Sequence, residues 1–212
     1  MADALQLQEY RTPGGAAQSL YEQKKSRFIG QLFPAADQQQ VDALLAQVRK
    51  QHREARHHTY AYRLRTDHVE RSSDDGEPQG TAGRPILEVL QKAQITDALL
   101  VVTRYFGGVL LGASGLLRAY SKAASLAVAG ADIITMCTCI DCVLTVPYNL
   151  YGVIQNMLPG YTLQISDTRF EVDVTLALTV KGSDYQRLVD EVTERTDGRV
   201  VPKKIKSHFS YL

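Results

Sequence analysis

Cysteine is scarce: three residues in 212, at 137, 139 and 142 and nowhere else. An odd set crowded into one short stretch excludes a disulfide framework and fits a reducing compartment. Apolar runs are short as well, none approaching the roughly 18 residues that cross a bilayer. The opening MADALQLQEYRTPGG has neither the basic start nor the apolar centre of a secretory leader. The expectation is therefore a cytoplasmic protein without membrane contact. An excess of charge is missing too. With 24 Lys and Arg against 23 Asp and Glu, the net charge of +1 gives no bulk attraction to polyanions. Any nucleic acid must be held by a local patch. Apolar content, by contrast, is ordinary: 44% hydrophobic and 22% charged residues exclude global disorder and predict one large or two small folded domains.

Along the chain, residues 1–15 read as a lead-in to an edge strand, with Thr12-Pro13-Gly14-Gly15 as a turn. Ser26–Phe33 is strand-like, Pro34 breaks it, and Asp37 is placed to cap a helix whose apolar face is Val41, Leu44, Leu45 and Val48. His58–Leu64 is the next strand, Ser72–Arg84 a loop, and Pro85 suits the first turn of a short helix. Ala98–Val102 is apolar throughout, the pattern of a strand covered on both faces. A glycine-rich turn and a helix with Leu116, Tyr120, Ala123 and Ala127 follow.

From about residue 135 the elements become short and regular. Strand Cys137–Val146, helix Pro147–Leu158, strand Tyr161–Ile165, an alternating strand with Val172, Val174, Leu176, Leu178 and Val180, a helix around Leu188, and a last strand are expected. In that last strand Lys204, Lys206 and His208 share one side, opposite Ile205, Phe209 and Tyr211. The order β-α-β-β-α-β is the ferredoxin-like split motif. The fold class is thus α+β, with domains 1–134 and 135–212. Neither is strongly basic, with 16 Lys/Arg against 14 Asp/Glu and 8 against 9. Locally, Arg49, Lys50, Arg53, Arg56, Arg63 and Arg65 have only Glu54 as counter-charge.

Three segments carry chemistry. Residues 73–83 combine Asp74, Asp75 and Glu77 with Gly76, Gly80, Gly83, Pro78 and Thr81. Paired carboxylates bind hard cations or share acid–base work, and Asx residues with glycines also simply build turns; the spacing is not that of an EF-hand. Residues 103–120 place Arg104, Tyr105, Gly107, Gly108, Gly112, Ser114, Gly115 and Arg118 where a strand gives way to a helix. Such a helix start is an anion cradle, here with Ser114 as the expected cap and two arginines to add charged bonds. The same glycines also serve close helix–sheet packing. Neither a phosphate-binding P-loop nor a G-x-G-x-x-G fingerprint is present. Finally, Arg56, His58 and Tyr60 in RHHTYAYR mix cations and aromatics at strand spacing, suited to RNA or to a half-buried core. Cys137 and Cys139 share one strand face and Cys142 the other, so no metal site, and no nucleophile elbow, is expected.

The order ARHHTYAYR (55–63), SDDGEPQGTAGRP (73–85) and RYFGGVLLGASGLLRAY (104–120) closely resembles the IMPACT family and its bacterial YigZ-type branch, from about Lys24 to Asp132. Where the family commonly has paired glycines, this chain has Ser114-Gly115. The resemblance implies an N-terminal domain like the second domain of a small-subunit ribosomal protein and a ferredoxin-like C-terminal domain similar to the last domain of elongation factor G. It further implies translational regulation. Eukaryotic members bind a co-activator of the starvation-responsive initiation-factor kinase, and bacterial members look nucleic-acid or ribosome associated. The expectation is a protein without catalytic residues or cofactor that binds RNA, the ribosome or a translation-related protein, with no DNA specificity. The alternatives are a metal-dependent phosphate-handling enzyme using Asp74, Asp75 and Glu77, and a purely protein-binding regulator.

Overall fold

The computed structural model describes residues 9–212. The first eight residues of the expected lead-in lie outside that range. Two compact units form, residues 10–134 and residues 135–212 with Glu9.

In the first unit β1 (Tyr10–Pro13) is followed by a hairpin of β2 (Ala17–Gln23) and β3 (Ser26–Pro34). Helix α1 (Gln38–Gln51) begins at Asp37, whose Oδ1 accepts the Gln40 backbone N–H at 2.8 Å, the expected cap. Then come β4 (His57–Leu64), β5 (Val69–Ser73), α2 (Gly83–Lys92), β6 (Ala98–Tyr105) and α3 (Ala113–Ala129). The sheet runs β2-β3-β6-β4-β5, antiparallel at every step. Central β6 is apolar on both sides because helices cover both. Leu100 and Val102 pack with Phe28, Ile86, Leu90 and Tyr120 under α2 and α3, and Leu99 and Val101 pack with Val41 and Val48 of α1.

The second unit is built from β7 (Ile133–Val146), α4 (Tyr148–Met157), β8 (Leu163–Phe170), β9 (Val174–Lys181), α5 (Gly182–Arg195) and β10 (Lys203–Ser210). Its order β10-β7-β9-β8, antiparallel throughout, is that of the ferredoxin-like fold. Leu144, Val146, Leu176 and Leu178 meet Ile154, Leu188 and Val192 in its core.

Local expectations shift in three places. Val172 does not continue the alternation of β9. It stands 92% exposed in a turn where the Glu171 N–H donates to the Asp173 carbonyl, and the strand starts at Val174. Tyr161 precedes its strand, because a 3₁₀ turn over Leu158–Gly160 delays β8 to Leu163. A bulge between Lys204 and Lys206 in β10 pairs Lys204 with Cys142 and Lys206 with Asp141. One extra residue flips the alternation, so Lys204 and Lys206 lie on opposite faces rather than together. Among the described residues no helix is long and apolar enough to cross a membrane.

Candidate functional site

The loop between β5 and α2 is shaped by its own carboxylates. Asp74 accepts the backbone N–H groups of Gly80 (2.8 Å), Ala82 (3.0 Å) and Gly83 (2.9 Å), and so caps α2 from outside the helix. Burial pushes its carboxyl up, but the three N–H bonds outweigh that and hold it below the usual range. Gly83 is a matter of space: a Cβ there would lie 2.7 Å from the Ser73 carbonyl carbon. Asp75 accepts the His58 backbone N–H at 2.7 Å and a guanidinium bond from Arg49 at 2.9 Å. Its carbonyl accepts from His57 Nδ1 at 2.8 Å, and the other ring nitrogen, Nε2, lies 3.9 Å from Glu77 Oε1.

Glu77 turns inward. Its Oε1 accepts Arg104 Nη1 at 2.6 Å and the Tyr120 hydroxyl at 2.7 Å, with both members of the ion pair buried. Burial and the Glu77 carboxylate together push the Tyr120 phenol far up, so it stays a donor. The Arg104 guanidinium lies 5.5 Å from the ring centres of both Phe28 and Phe106, and its Nε is buried without a hydrogen-bond partner. The three carboxylates thus serve three separate sets of partners. Among the described residues no three His, Cys, Asp or Glu side chains converge as a metal site.

Beyond β6 the chain passes Gly107, where a Cβ would fall 2.0 Å from the Lys25 carbonyl carbon; only hydrogen fits against the β2–β3 turn. Helix α3 opens at Gly112, whose φ of 73° is left-handed, and no side chain caps it. Ser114 is not the cap. It is the second residue of the helix, because the glycine ends the turn two residues earlier than the sequence suggests. The first N–H groups of α3 consequently face outward uncapped.

All three signature segments meet in one cleft of about 440 Å³. His57 opens β4 and Arg56 immediately precedes it, Glu77 and Pro78 come from the acidic loop, Arg104 from the end of β6, and Phe106 and Leu110–Ala113 from the glycine turn and the start of α3. The cleft thus combines the α3 N-terminus and two guanidiniums with an apolar rim; Phe106 is 50% and Leu110 81% exposed. Of the residues expected at a binding surface, the structure gathers Arg56, Arg104, Gly112, Glu77 and Pro78 here.

Others are placed elsewhere. His58 and Tyr60 point to the α1 side, because His57, not His58, pairs with Arg104 in the β4–β6 register and side chains alternate along the strand. Tyr60 stacks on Tyr62 at 6.2 Å, and Tyr62 donates to Gln38. His58 Nε2 donates to the His52 carbonyl, and His52 Nδ1 meets the Tyr105 hydroxyl at 3.0 Å. Burial lowers both imidazoles, and for His52 the neighbouring His58 adds to the effect. Arg118 is exposed on α3 and does not line the cleft. Arg104 does not stand free to take an anion; the buried Glu77 pair has claimed it. His57, Phe106 and Leu110–Leu111 belong to the signature segments but are not singled out as binding residues from the sequence. The signals were the alternation itself and an apolar run set between glycines.

The chain matches two family models, the Impact N-terminal domain over residues 24–128 and a domain of unknown function (DUF1949) over residues 144–199. The IMPACT family member YvyE of Bacillus subtilis is 34% identical over 83% of this chain and 82% of its own length. An IMPACT family member of Haemophilus influenzae is 34% identical over 92% and 96%. Protein IMPACT homolog of Dictyostelium discoideum is 39% identical over 42% of this chain and 27% of itself. A crystal structure described as a hypothetical protein superposes with a TM-score of 0.60 at 27% identity, covering 94% of this chain and 98% of that one. Matched across both units by relatives of nearly its own length, the chain belongs to the IMPACT family.

Proposed function

We propose that this protein is a cytoplasmic, translation-associated regulator that binds RNA through the cleft of its N-terminal domain and performs no chemistry on it. The carrying observation is the convergence of the three signature segments on a single cleft around an uncapped helix N-terminus. Outward N–H groups favour a phosphate, Arg56 supplies an exposed cation, and Phe106 offers an aromatic face to a base. Kinship with proteins named IMPACT supports the regulatory reading. The acidic loop supports binding rather than turnover, since each carboxylate is occupied in building the loop or in neutralising Arg104.

A purely protein-binding role is the second reading, and it has an observation of its own. Val109, Leu110 and Leu117 stand exposed together with Phe106 beside the same cleft. Crosslinking from cells, followed by titration of single-stranded RNA against salt, separates the two. RNA binding gives an affinity that falls linearly in log salt, and Arg56→Ala weakens it about tenfold, the loss of roughly one charged contact. Capture of a protein instead, abolished by Leu110→Asp, with no saturable RNA binding, overturns the first reading for the second.

A further inference from the structure

The β2–β3 turn is built against local preference. Gln23 pairs with Ser26, so Lys24 and Lys25 form a two-residue hairpin loop, with φ of 45° and 64°. Left-handed backbone at both positions is the type I′ turn, the place of Asn-Gly. Here both positions carry lysine, both are exposed, and among the described residues neither ammonium has an ion-pair partner. The fold draws no evident benefit from the side chains. Strain of this kind gathers where a side chain is needed for something other than stability.

The surroundings say what the lysines face. Gly107 is cut to the shape of this turn, and its N–H donates to Ser26 Oγ at 3.2 Å, so the turn is seated on the glycine segment that continues into the cleft rim. Arg27, one residue further, lies opposite Tyr105 in the β3–β6 register, its guanidinium 6.0 Å from that ring. Among the described residues its only ion pair is an exposed 3.6 Å contact with Glu22, too weak to hold it from another anion. Half-exposed Phe106 follows Tyr105 directly. Lys24 and Lys25 thus stand at the sheet end where the glycine segment leads to Phe106 and the cleft, while Arg27 and Tyr105 lie at the same end on the α1 face.

We infer that the Lys24-Lys25 turn is a phosphate-gripping finger that holds the backbone of single-stranded RNA whose neighbouring base stacks at Phe106. The inference deepens the RNA reading of the cleft and rests on it. Cations spaced along a strand with an adjacent aromatic face are what a sequence-tolerant single-strand site requires.

The test is the variant Lys24→Asn with Lys25→Gly in the full chain, probed with a fluorescein-labelled RNA decamer of mixed sequence. Asn-Gly is the preferred I′ pair, so the turn survives and the melting temperature stays level or rises. RNA affinity at low salt falls at least tenfold, and the slope of log affinity against log salt shrinks by about 1.4, the share of two single-strand phosphates. Lys24→Arg with Lys25→Arg keeps both affinity and slope. Wild-type affinity and slope in the Asn-Gly variant overturn the finger. If that happens while Arg56→Ala still loses binding, the cleft reading stands and the finger alone falls. Loss in the Asn-Gly variant with Arg56→Ala unaffected upholds the finger and removes Arg56 as a phosphate contact of the cleft. No saturable RNA binding by the wild-type protein removes both.

Discussion

At the scale of single residues, the acidic loop separates two kinds of carboxylate. Asp74 is partly exposed and accepts three backbone N–H groups at the start of α2, the work of a helix cap. Glu77 is buried opposite a buried arginine. Removing a cap costs about 1–2 kcal/mol, whereas removing one partner of a buried pair costs about 3–5 kcal/mol because the other charge is stranded. Denaturant titration should therefore find Glu77→Ala more destabilising than Asp74→Ala, and Arg104→Ala as damaging as Glu77→Ala. A Glu77→Gln, Arg104→Met double variant, which strands no charge, should recover much of the loss. Equal, small effects at all three positions would show that the pair is not buried in solution. Little of this was legible beforehand: three acids and three glycines announce a turn, but not which acid turns inward. Burial of Glu77 is decided by Arg104 and Tyr120, which lie 27 and 43 residues away in sequence.

Among elements, the glycine turn shows how packing sets positions that a motif only hints at. Gly107 touches the β2–β3 turn so closely that a Cβ would overlap the backbone at 2.0 Å. Gly107→Ala must displace the hairpin or the turn, both backbone and neither yielding cheaply. We expect a loss of more than about 2 kcal/mol by thermal or chemical unfolding. Gly108→Ala, left-handed but facing open space, should cost about 1 kcal/mol. Equal costs would mean that the close approach is not maintained. The elements were largely readable because their periods were clean: the α1 face, the doubly covered β6, and the β-α-β-β-α-β order all follow from local pattern. What failed was local bookkeeping. A one-residue bulge in β10 leaves no trace in composition, and Ser114 looked like a cap only because the φ of Gly112 cannot be read from its name.

For the molecule as a whole, three shifted groups of the N-terminal unit, His52, His58 and Asp74, act in the same sense toward acid. His52 and His58 are lowered by burial, and Asp74 is held low by its N–H bonds. A histidine whose folded value lies below its unfolded one stays neutral in the fold while the unfolded chain takes up a proton. The stability it contributes is complete above the unfolded value, near 6.5, and is lost as the pH falls toward the folded one. Asp74 adds a second loss that begins below about 4. The N-terminal sheet should accordingly weaken between pH 7 and pH 5, before carboxylates titrate. Hydrogen exchange reads this directly once corrected for the intrinsic pH dependence of the amides. Protection of β6 amides should fall between pH 7 and pH 5, and more steeply in wild type than in His58→Gln, which removes one of the two shifted imidazoles. Unchanged β6 protection across that interval would show that the His52–His58–Tyr105 contacts are open to water. A slope unaltered by His58→Gln would assign the pH dependence to other groups. Because the same histidines brace the junction of α1 and β4, from which Arg56 and His57 enter the cleft, acid should loosen that wall of the binding surface in the same interval.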